Sequence, residues 1–337
     1  MRDSTSVIVV AYDSGPALLS CVASIWADEP DWEVIVVDNG GGGEELEAVA
    51  AAGRVTIVAP PKNLGFAGGC NLGAKVASGE TLVFLNPDTV IKPGSLLRLV
   101  EPLGDPEIGI VTARLRLLDQ PELLHAAGTV IHVSGLGWSG GYGTSADGPV
   151  GLTDVTAPCG AAMALRTDVF HELGGFHDEF FLYQEDVQLG WRAQMAGRRV
   201  VYSPAADVYH DYDFDRHKKK RYFMERNRIA FLGTCFSART LLLLSPLLLV
   251  TELAMLVLAA RQGWFKDKLR GWMWLLRNMR KLHRRRRQTQ RGRTVRDRDL
   301  AGLLTAVVDP GVIRVPALVQ LLNPLLVGYW ILVRRAL

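Results

Sequence analysis

The residues of this 337-residue chain best placed to do chemistry are carboxylates and amides that follow short apolar runs. Ala11-Tyr12-Asp13 closes the run Val7–Ala11, Asp38-Asn39 follows Val34–Val37, and Asn86-Pro87-Asp88-Thr89 follows Thr81–Leu85. Open α/β sheets bind ligands outside the carboxyl ends of their strands, so these three groups are the first candidates. Asp38 has the position of an acid that hydrogen-bonds a ribose hydroxyl. However, the turn Tyr12–Ala17 lacks G-x-G-x-x-G, and Gly65-Phe-Ala-Gly68-Gly69 follows the third strand rather than the first, which disfavours a dehydrogenase. A carboxylate two residues after an Asn, as in Asn86-Pro-Asp88, suits a divalent cation bridging two nucleotide phosphates, because Mg²⁺ and Mn²⁺ prefer carboxylate and phosphate oxygens. The same tripeptide is also ordinary turn chemistry. Glu185-Asp186 opens a helical stretch, where the dipole favours an ionised carboxylate. It reads either as a general base or as plain helix N-terminal chemistry. The Gly-rich stretch Asn63–Gly73 reads either as a ligand loop or as a lead into a helix.

The elements that would position these groups come from the alternation of the first 115 residues. Apolar runs at Val7–Ala11, Val34–Val37, Val55–Val58, Thr81–Leu85 and Ile108–Thr112 predict strands. The stretches Pro16–Ala27, Glu44–Ala52, Gly68–Ala77 and Pro93–Val100 predict helices. Near-continuous apolar strands separated by helices imply right-handed β-α-β units and a doubly wound α/β fold with a mostly parallel sheet. Leu115–Pro158 turns Gly-rich, notably over Gly135–Gly143, and reads as a long irregular segment of the kind that forms lids. Regular structure is expected again at Ala161–Leu165, Thr167–Leu173, Glu185–Ala196 and Arg199–Tyr202.

Charge divides the chain. Residues 1–215 carry 12 Lys and Arg against 29 Asp and Glu, whereas residues 216–337 carry 26 against 6. An acidic body joined to a basic tail calls for an anionic partner of the tail, nucleic acid or membrane lipid. Leu241–Ala260 contains one charge, Glu252, and as a helix would be about 30 Å long, the thickness of a bilayer core. Pro246 and Glu252 argue against an ordinary lipid-exposed span. Aromatic and basic residues interleave from Trp264 to Trp274, a cluster follows at Arg284–Arg287, and a second apolar segment, Val312–Val333, is broken by Arg314, Pro316 and Pro324. Apolar helices bordered by Trp and Lys/Arg have the composition of interfacial membrane anchors. The alternative is a helical appendage with solvated charges. The division expected is a catalytic domain over residues 1–235 and a membrane-associated helical region over 236–337, separable enough that a chain lacking residues 240–337 would still fold. The four cysteines are too far apart for a zinc ribbon or a disulfide scaffold. The apolar run Val7–Ala11 is too short for a signal-peptide core, so the body is expected on the cytoplasmic face of the membrane.

Taken in order, Val7-Ile-Val-Val-Ala-Tyr12, Val36-Val-Asp38-Asn39, Asn63-Leu-Gly-Phe-Ala-Gly-Gly-Cys-Asn71-Leu-Gly73 and Phe84-Leu-Asn-Pro-Asp88 resemble glycosyltransferase family 2, and in particular its bacterial rhamnosyltransferase-like members. The likeness continues through Cys159–Arg166, Gly174–Phe181 and Tyr183–Arg192, and covers roughly residues 5–232. It implies a GT-A fold, a nucleotide-sugar donor, a divalent metal (Mn²⁺ or Mg²⁺) and inversion at the anomeric carbon. Position by position, Asp38 matches the acid of the nucleoside pocket, which Ala11 and Tyr12 line. Asn63 and Asn71 match the donor-binding loop. Asp88 matches the metal-ligating carboxylate of a D-x-D-type motif whose first member is here Asn86, counted with the donor contacts. Asp186 matches the catalytic base, with Glu185 beside it, and His210 matches a late histidine that completes the metal site. Arg226 falls in an Arg-Asn helix that closes the donor site in relatives and would reach a phosphate; a solvated helix face is the alternative. Gln188 stands where many relatives carry Asp.

The resemblance points to a membrane-associated inverting transferase acting on a lipid-linked or cell-envelope glycan, with polyprenyl phosphate as an alternative acceptor. A catalytically silent scaffold that binds sugar nucleotides or membrane is disfavoured by the intact Asp88 and Asp186. A processive synthase is disfavoured because Q-x-x-R-W is absent. Anionic membrane lipid is the expected partner of the tail rather than nucleic acid, since DNA binding needs no twenty-residue apolar stretch.

Overall fold

The computed structural model describes residues 4–40, 42–148, 150–212, 219–311 and 317–337. Lys218 of the basic run, and Arg314 and Pro316 of the second apolar segment, lie outside the described residues. The chain opens with β1 (Thr5–Ala11), α1 (Ala17–Asp28), β2 (Glu33–Asp38), α2 (Glu44–Ala51), β3 (Thr56–Val58), α3 (Gly65–Val76) and β4 (Thr81–Leu85). Every residue of β1 and β4 is buried, as their unbroken apolar runs require of strands covered on both faces. The four strands lie in the order β3-β2-β1-β4, all parallel, with Val7 opposite both Val34 and Val83. The carboxyl ends of β1, β2 and β4 therefore open at one edge, which brings Ala11, Asp38 and Asn86–Asp88 into one region.

Beyond β4 the sheet becomes mixed. Next come β5 (Thr89–Ile91), α4 (Ser95–Val100) and β6 (Ile108–Leu117), then β7 (Leu124–Ala126), β8 (Thr129–His132), β9 (Gly137–Ser139) and β10 (Thr153–Asp154). They are followed by β11 (Ala162–Arg166), α5 (Thr167–Glu172), α6 (Glu185–Met195) and β12 (Arg199–His210). Strand β11 runs antiparallel between β4 and β6, β12 is parallel to β6, and the full order is β10-β12-β6-β11-β4-β1-β2-β3. The sequence marks only the first third of β12, because Ser203-Pro204-Ala-Ala206 breaks its apolar pattern. The strand continues through an irregularity between Ser203 and Asp207 and then pairs with β5, setting His210 opposite Thr89. Such bulges re-aim a strand. Asp207, just past this one, accepts from Arg114, Arg116 and Lys92. Burial would push its carboxyl up, but these three cations hold it at about 2.

The Gly-rich segment is not an irregular lid. It folds into a small sheet in which β8 and β9 form a hairpin around Gly135, whose φ of 81° suits glycine. The third strand of this sheet comes from the tail. After α7 (Lys220–Cys235), α8 (Ala238–Arg261), α9 (Phe265–Arg277), α10 (Met279–Arg291) and α11 (Asp297–Leu300), strand β13 (Leu304–Thr305) adds parallel to β8. The amide of Val133 donates to the Thr305 carbonyl at 2.9 Å, and the Thr156 hydroxyl donates to the Leu303 carbonyl at 2.7 Å. Helix α12 (Ala317–Ala336) ends the chain.

The tail is accordingly part of a core. Trp191, Phe180 and Met195 of the body pack with Phe231 and Phe236, and the same cluster takes in Leu244, Leu300, Leu304 and Trp330. Backbone amides of Thr294 and Val295 both donate to the Met195 carbonyl. This packing runs against the expectation that the body folds without residues 240–337, because the apolar face around Trp191 has its other half in the tail.

Deleting residues 240–337 is therefore expected to give a chain that is insoluble, or that binds a hydrophobic dye and unfolds without a cooperative transition in circular dichroism. A sharp thermal transition close to that of the full chain would show that the body is autonomous after all.

Candidate active site

Helix α6 begins with Glu185-Asp186, and the loop before it determines where the pair points. Phe181, Tyr183 and Gln184 have φ of 62°, 67° and 68°, left-handed values that non-glycine residues adopt at a cost. The loop is held in this shape by α7. The Asn227 amide donates to the carbonyls of Phe180, Leu182 and Tyr183 at 2.7–3.0 Å, and the Arg226 guanidinium donates to those of Glu179 and Phe180 at 2.8 Å. From the other side, the Ala67 amide at the start of α3 donates to the Phe181 carbonyl. Gly65 lies so close to Phe181 that a Cβ there would come within 2.3 Å of its carbonyl oxygen.

Asp186 is fixed by backbone donors: Gly160 N–H to Oδ2 at 2.8 Å and Val187 N–H to Oδ1 at 2.7 Å. A Cβ at Gly160 would sit 3.2 Å from the Asp186 side chain, close enough that the carboxylate would have to shift by a few tenths of an ångström. One residue on, the Ala161 carbonyl accepts from the Asn86 amide at 2.9 Å. The turn 159–161 thus ties Asp186 directly to the Asn86–Asp88 corner at the end of β4. Glu185 is different: it is buried, and its Oε2 has no hydrogen-bond partner. Burial, reinforced by the neighbouring Asp186 charge, pushes the Glu185 carboxyl well above its ordinary value. Burial also raises Asp186, opposed by its backbone N–H bonds. The two environments differ: Glu185 has no donor for Oε2, whereas both Asp186 oxygens accept backbone N–H bonds that favour its ionised form.

At the other side of the corner, His210 Nε2 lies 3.1 Å from Asp88 Oδ1. His210 Nδ1 in turn faces His125 Nδ1 at 3.0 Å, so one of these nitrogens carries the shared proton. His125 is buried, stacked on Tyr212 with ring centroids 4.2 Å apart, and its Nε2 has no partner. Burial, then the nearby His210 and Lys220, lower the His125 pKa and keep it neutral. Nothing in the spacing of Leu123-Leu-His125-Ala announces this residue. It is found only once β7 is seen beside β6 and the end of β12.

Ala11 and Asp38 line a small, shallow cleft together with Asp13, Ser14 and Glu45. Asp38 Oδ1 accepts from the amides of Gly40 and Gly42, which holds the carboxylate at the rim. Tyr12, next to it, is half exposed. Two side chains expected at the donor have their polar atoms engaged within the protein. Asn71 is expected to bind donor, but its amide oxygen accepts from the Phe176 N–H and its nitrogen donates to the Phe176 carbonyl and to Asp178. Arg226 is expected to reach a phosphate, but it is buried, with its guanidinium 4.0 Å from the Trp274 ring centroid and committed to loop carbonyls. Both side chains brace the loop instead. Asn63 also has its oxygen committed, accepting from Asn39 Nδ2 and from the Gly65 amide. Gln188 bridges His177 and Arg192 inside α6.

Among the described residues no group of three His, Cys, Asp or Glu side chains converges on one point as a closed metal cage. Asp88 with His210 supplies one carboxylate oxygen and one imidazole nitrogen at an accessible strand end. That donor pair fits Mn²⁺ or Mg²⁺, ions that take few protein ligands and complete their shell with phosphate and water.

Residues 6–174 match the profile described as Glycosyl transferase family 2. The chain is 30% identical over 237 residues to N-acetylglucosaminyl-diphospho-decaprenol L-rhamnosyltransferase of Mycobacterium tuberculosis, a match covering 62% of this chain and 76% of that protein. It is 32% identical over 219 residues to the O-antigen biosynthesis protein RfbC of Myxococcus xanthus, covering 61% of this chain but 17% of that much longer one. Among solved structures, GalNAc-T7 with UDP, GalNAc and Mn²⁺ superposes with a TM-score of 0.59 at 16% identity, over 69% of this chain and 48% of that one. The mannosyltransferase PcManGT of Pyrobaculum calidifontis with GDP-Man and Mn²⁺ superposes with a TM-score of 0.51 at 16% identity, over 83% and 88%. These likenesses carry the fold, GT-A-like with a large mixed sheet. With the profile spanning half of the chain and with these relatives, the chain belongs to glycosyl transferase family 2 and is a glycosyltransferase.

Proposed function

We propose that this glycosyltransferase moves a sugar, with inversion, from a nucleotide-sugar donor to a lipid-linked glycan acceptor at the cytoplasmic face of a membrane. The observation that carries the reading is the connection Asp186–Gly160–Ala161–Asn86, which sets a carboxylate held by backbone donors beside the corner that bears Asp88 and His210. The activity for which the mycobacterial relative is named supports the choice of acceptor and makes an L-rhamnosyl donor the first to test.

In this reading Asp186 accepts the proton of the acceptor hydroxyl as that oxygen attacks the anomeric carbon, and the nucleoside diphosphate leaves from the opposite face. Gly160 N–H and Val187 N–H keep the Asp186 oxygens aimed and ionised. Asp38 and Ala11 take the nucleoside, with Tyr12 at the rim. Asp88 and His210 would hold a divalent cation, and such an ion would supply positive charge at the departing diphosphate. With His210 Nε2 given to that cation, His210 Nδ1 would donate to His125 Nδ1, so His125 would fix the tautomer of the ligand. The lipid-linked acceptor accords with the basic, apolar tail, and anionic lipid is its proposed surface. The functional division is a catalytic region over residues 1–235 and a membrane-associated region over 236–337, sharing one core.

The direct test is transfer from a panel of dTDP-, UDP- and GDP-sugars to a polyprenyl diphosphate glycan, with the anomeric configuration of the product read by NMR. A retained configuration would overturn the mechanism.

Three substitutions dissect the site. Asp88→Ala is expected to abolish the Mn²⁺ dependence of nucleotide-sugar binding in isothermal titration, and unchanged affinity with unchanged Mn²⁺ dependence would remove Asp88 from the metal site. Asp186→Asn is expected to keep donor affinity and lose about 10²–10⁴-fold in turnover, the typical cost of a lost general base. Near wild-type turnover would mean that another residue is the base. For Glu185 the effect is on stability. The unfolded chain releases this proton from about pH 4.3 upward while the folded protein retains it, so the wild type loses stability as pH rises from there through the elevated folded pKa. Glu185→Gln is expected to flatten this part of the stability–pH curve, measured by urea unfolding between pH 4 and pH 8, with no loss of stability at pH 7. A variant less stable than wild type at pH 7 with an unchanged slope would show that Glu185 is ionised in the fold.

A further inference from the structure

Helix α8 is the one helix among the described residues long and apolar enough to cross a membrane, with a mean hydropathy of 2.4 over its most apolar window. Its two faces argue for a different placement. Thr240, Leu244 and Leu247 are buried, and so, near its far end, is Ala259. Between them Glu252 reaches into the body, pairing with Arg228 and, at 2.8 Å, with Lys268, and accepting from the Trp272 indole N–H at 3.2 Å. Arg228 and Lys268 are almost wholly buried and are also paired with Glu225. Burial would raise the Glu225 carboxyl, but the Arg228 and Lys268 charges hold it below its ordinary value. This side of α8 is therefore tied to the rest of the protein at several points: Thr240 to Asp297, Leu243 to the Tyr329 hydroxyl of α12, and Glu252 to Arg228 of α7 and Lys268 of α9. The opposite side presents Leu242, Leu249, Val250, Leu253 and Val257, each more than half exposed.

An upright span cannot keep those contacts without drawing the protein body into hydrocarbon. A helix docked along one side and apolar along the other has the pattern of an in-plane anchor. Its surroundings select the partner. Beyond residue 235 the chain carries 19 Lys and Arg against 5 Asp and Glu, and Arg239, Arg261, Lys266, Arg277 and Arg280 are all exposed around α8 and α9. The neighbouring α12 adds Leu321 and Leu325, both strongly exposed. We infer that the outward face of α8, with that of α12, lies flat in the headgroup region of an anionic leaflet, so that the enzyme is held to one side of the membrane without crossing it. This inference rests on the membrane part of the proposed function and adds its geometry and its residues.

The experiment uses the full-length chain carrying L242C, L249C or V257C in turn, each labelled with an environment-sensitive fluorophore and mixed with phosphatidylglycerol vesicles containing quenchers at set depths. The unlabelled parent chain, whose native cysteines include three buried ones, sets the background. The expected result is the same shallow depth at all three positions, binding at least tenfold weaker to phosphatidylcholine vesicles, and at least tenfold weaker binding of a Leu249→Glu/Val257→Glu double variant with an unchanged circular dichroism spectrum. A depth profile deepest at 249 and shallow at both ends would mean that α8 spans the bilayer and would overturn the inference. No quenching in any vesicle, with a dimer in light scattering, would assign the face to a second copy and overturn it equally. Glycosyl transfer is read in the same samples: docking without transfer from any donor would count against the catalytic reading alone.

Discussion

The loop from Glu179 to Gln184 is the constraint on which the site depends. Three of its residues are held at left-handed φ values, and they stand immediately before the two carboxylates at the head of α6. A backbone of this kind persists only where its surroundings over-determine it. Asn227 does so with three carbonyls accepting from one amide nitrogen, and Arg226 with two more, while Gly65 leaves room for Phe181 to come close. Arg226 is itself sandwiched among Trp274, Tyr222 and Phe223, so a residue of the tail stands behind the clamp. Arg285 and Lys281 of α10 add a second brace by pairing with the buried Glu179. The position of Asp186 and the packing of α9 and α10 are thus mechanically linked.

The opposite wall is built by a similar economy. Strand β12 stays paired with β6 on both sides of its irregularity, its last three residues also pair with β5, and the segment past the irregularity is held by Asp207 against two arginines and a lysine. His210 arrives beside Asp88 because of that pairing with β5, and His125 arrives behind it because β7 folds back on β6. A polar chain of three side chains, Asp88–His210–His125, then runs from the strand end into the interior, where its last nitrogen has no partner. Protonation along such a chain is shared, so what happens at Asp88 is felt at a buried ring.

Most of the parallel half was legible from sequence because each strand there is an apolar run covered on both faces; Thr81–Leu85 matches to the residue. Boundaries slipped where local chemistry differs: α3 starts at Gly65 rather than Gly68 because its first turn is organised by contacts with Phe181, more than a hundred residues further along the chain and outside any local signal. The hairpin of β8 and β9 was hidden by glycines that look like disorder but serve turns, and β12 was hidden by a proline. In the site, the carboxylates at strand and helix ends were readable from position and resemblance. Asn71 and Arg226 were visible as polar residues in the right neighbourhood, but whether a side chain turns toward a ligand or toward a backbone carbonyl depends on long-range packing. His125 and Asn227 act only across elements far apart in sequence, and no window of residues reports that.

The buried quartet Glu225, Arg228, Glu252 and Lys268 has a consequence for how the sequence can drift. Two carboxylates and two cations cancel, and removing one member strands a charge away from water, whereas exchanging opposite charges together for well-packed apolar residues can be neutral. Selection therefore acts on these four positions jointly. The expectation is that single losses cost stability while paired replacements are tolerated, so that in descendants of this chain the acid in the middle of the apolar helix and the lysine of the next helix appear and vanish as partners. That linkage is an inherited mark of a helix that stays on its protein.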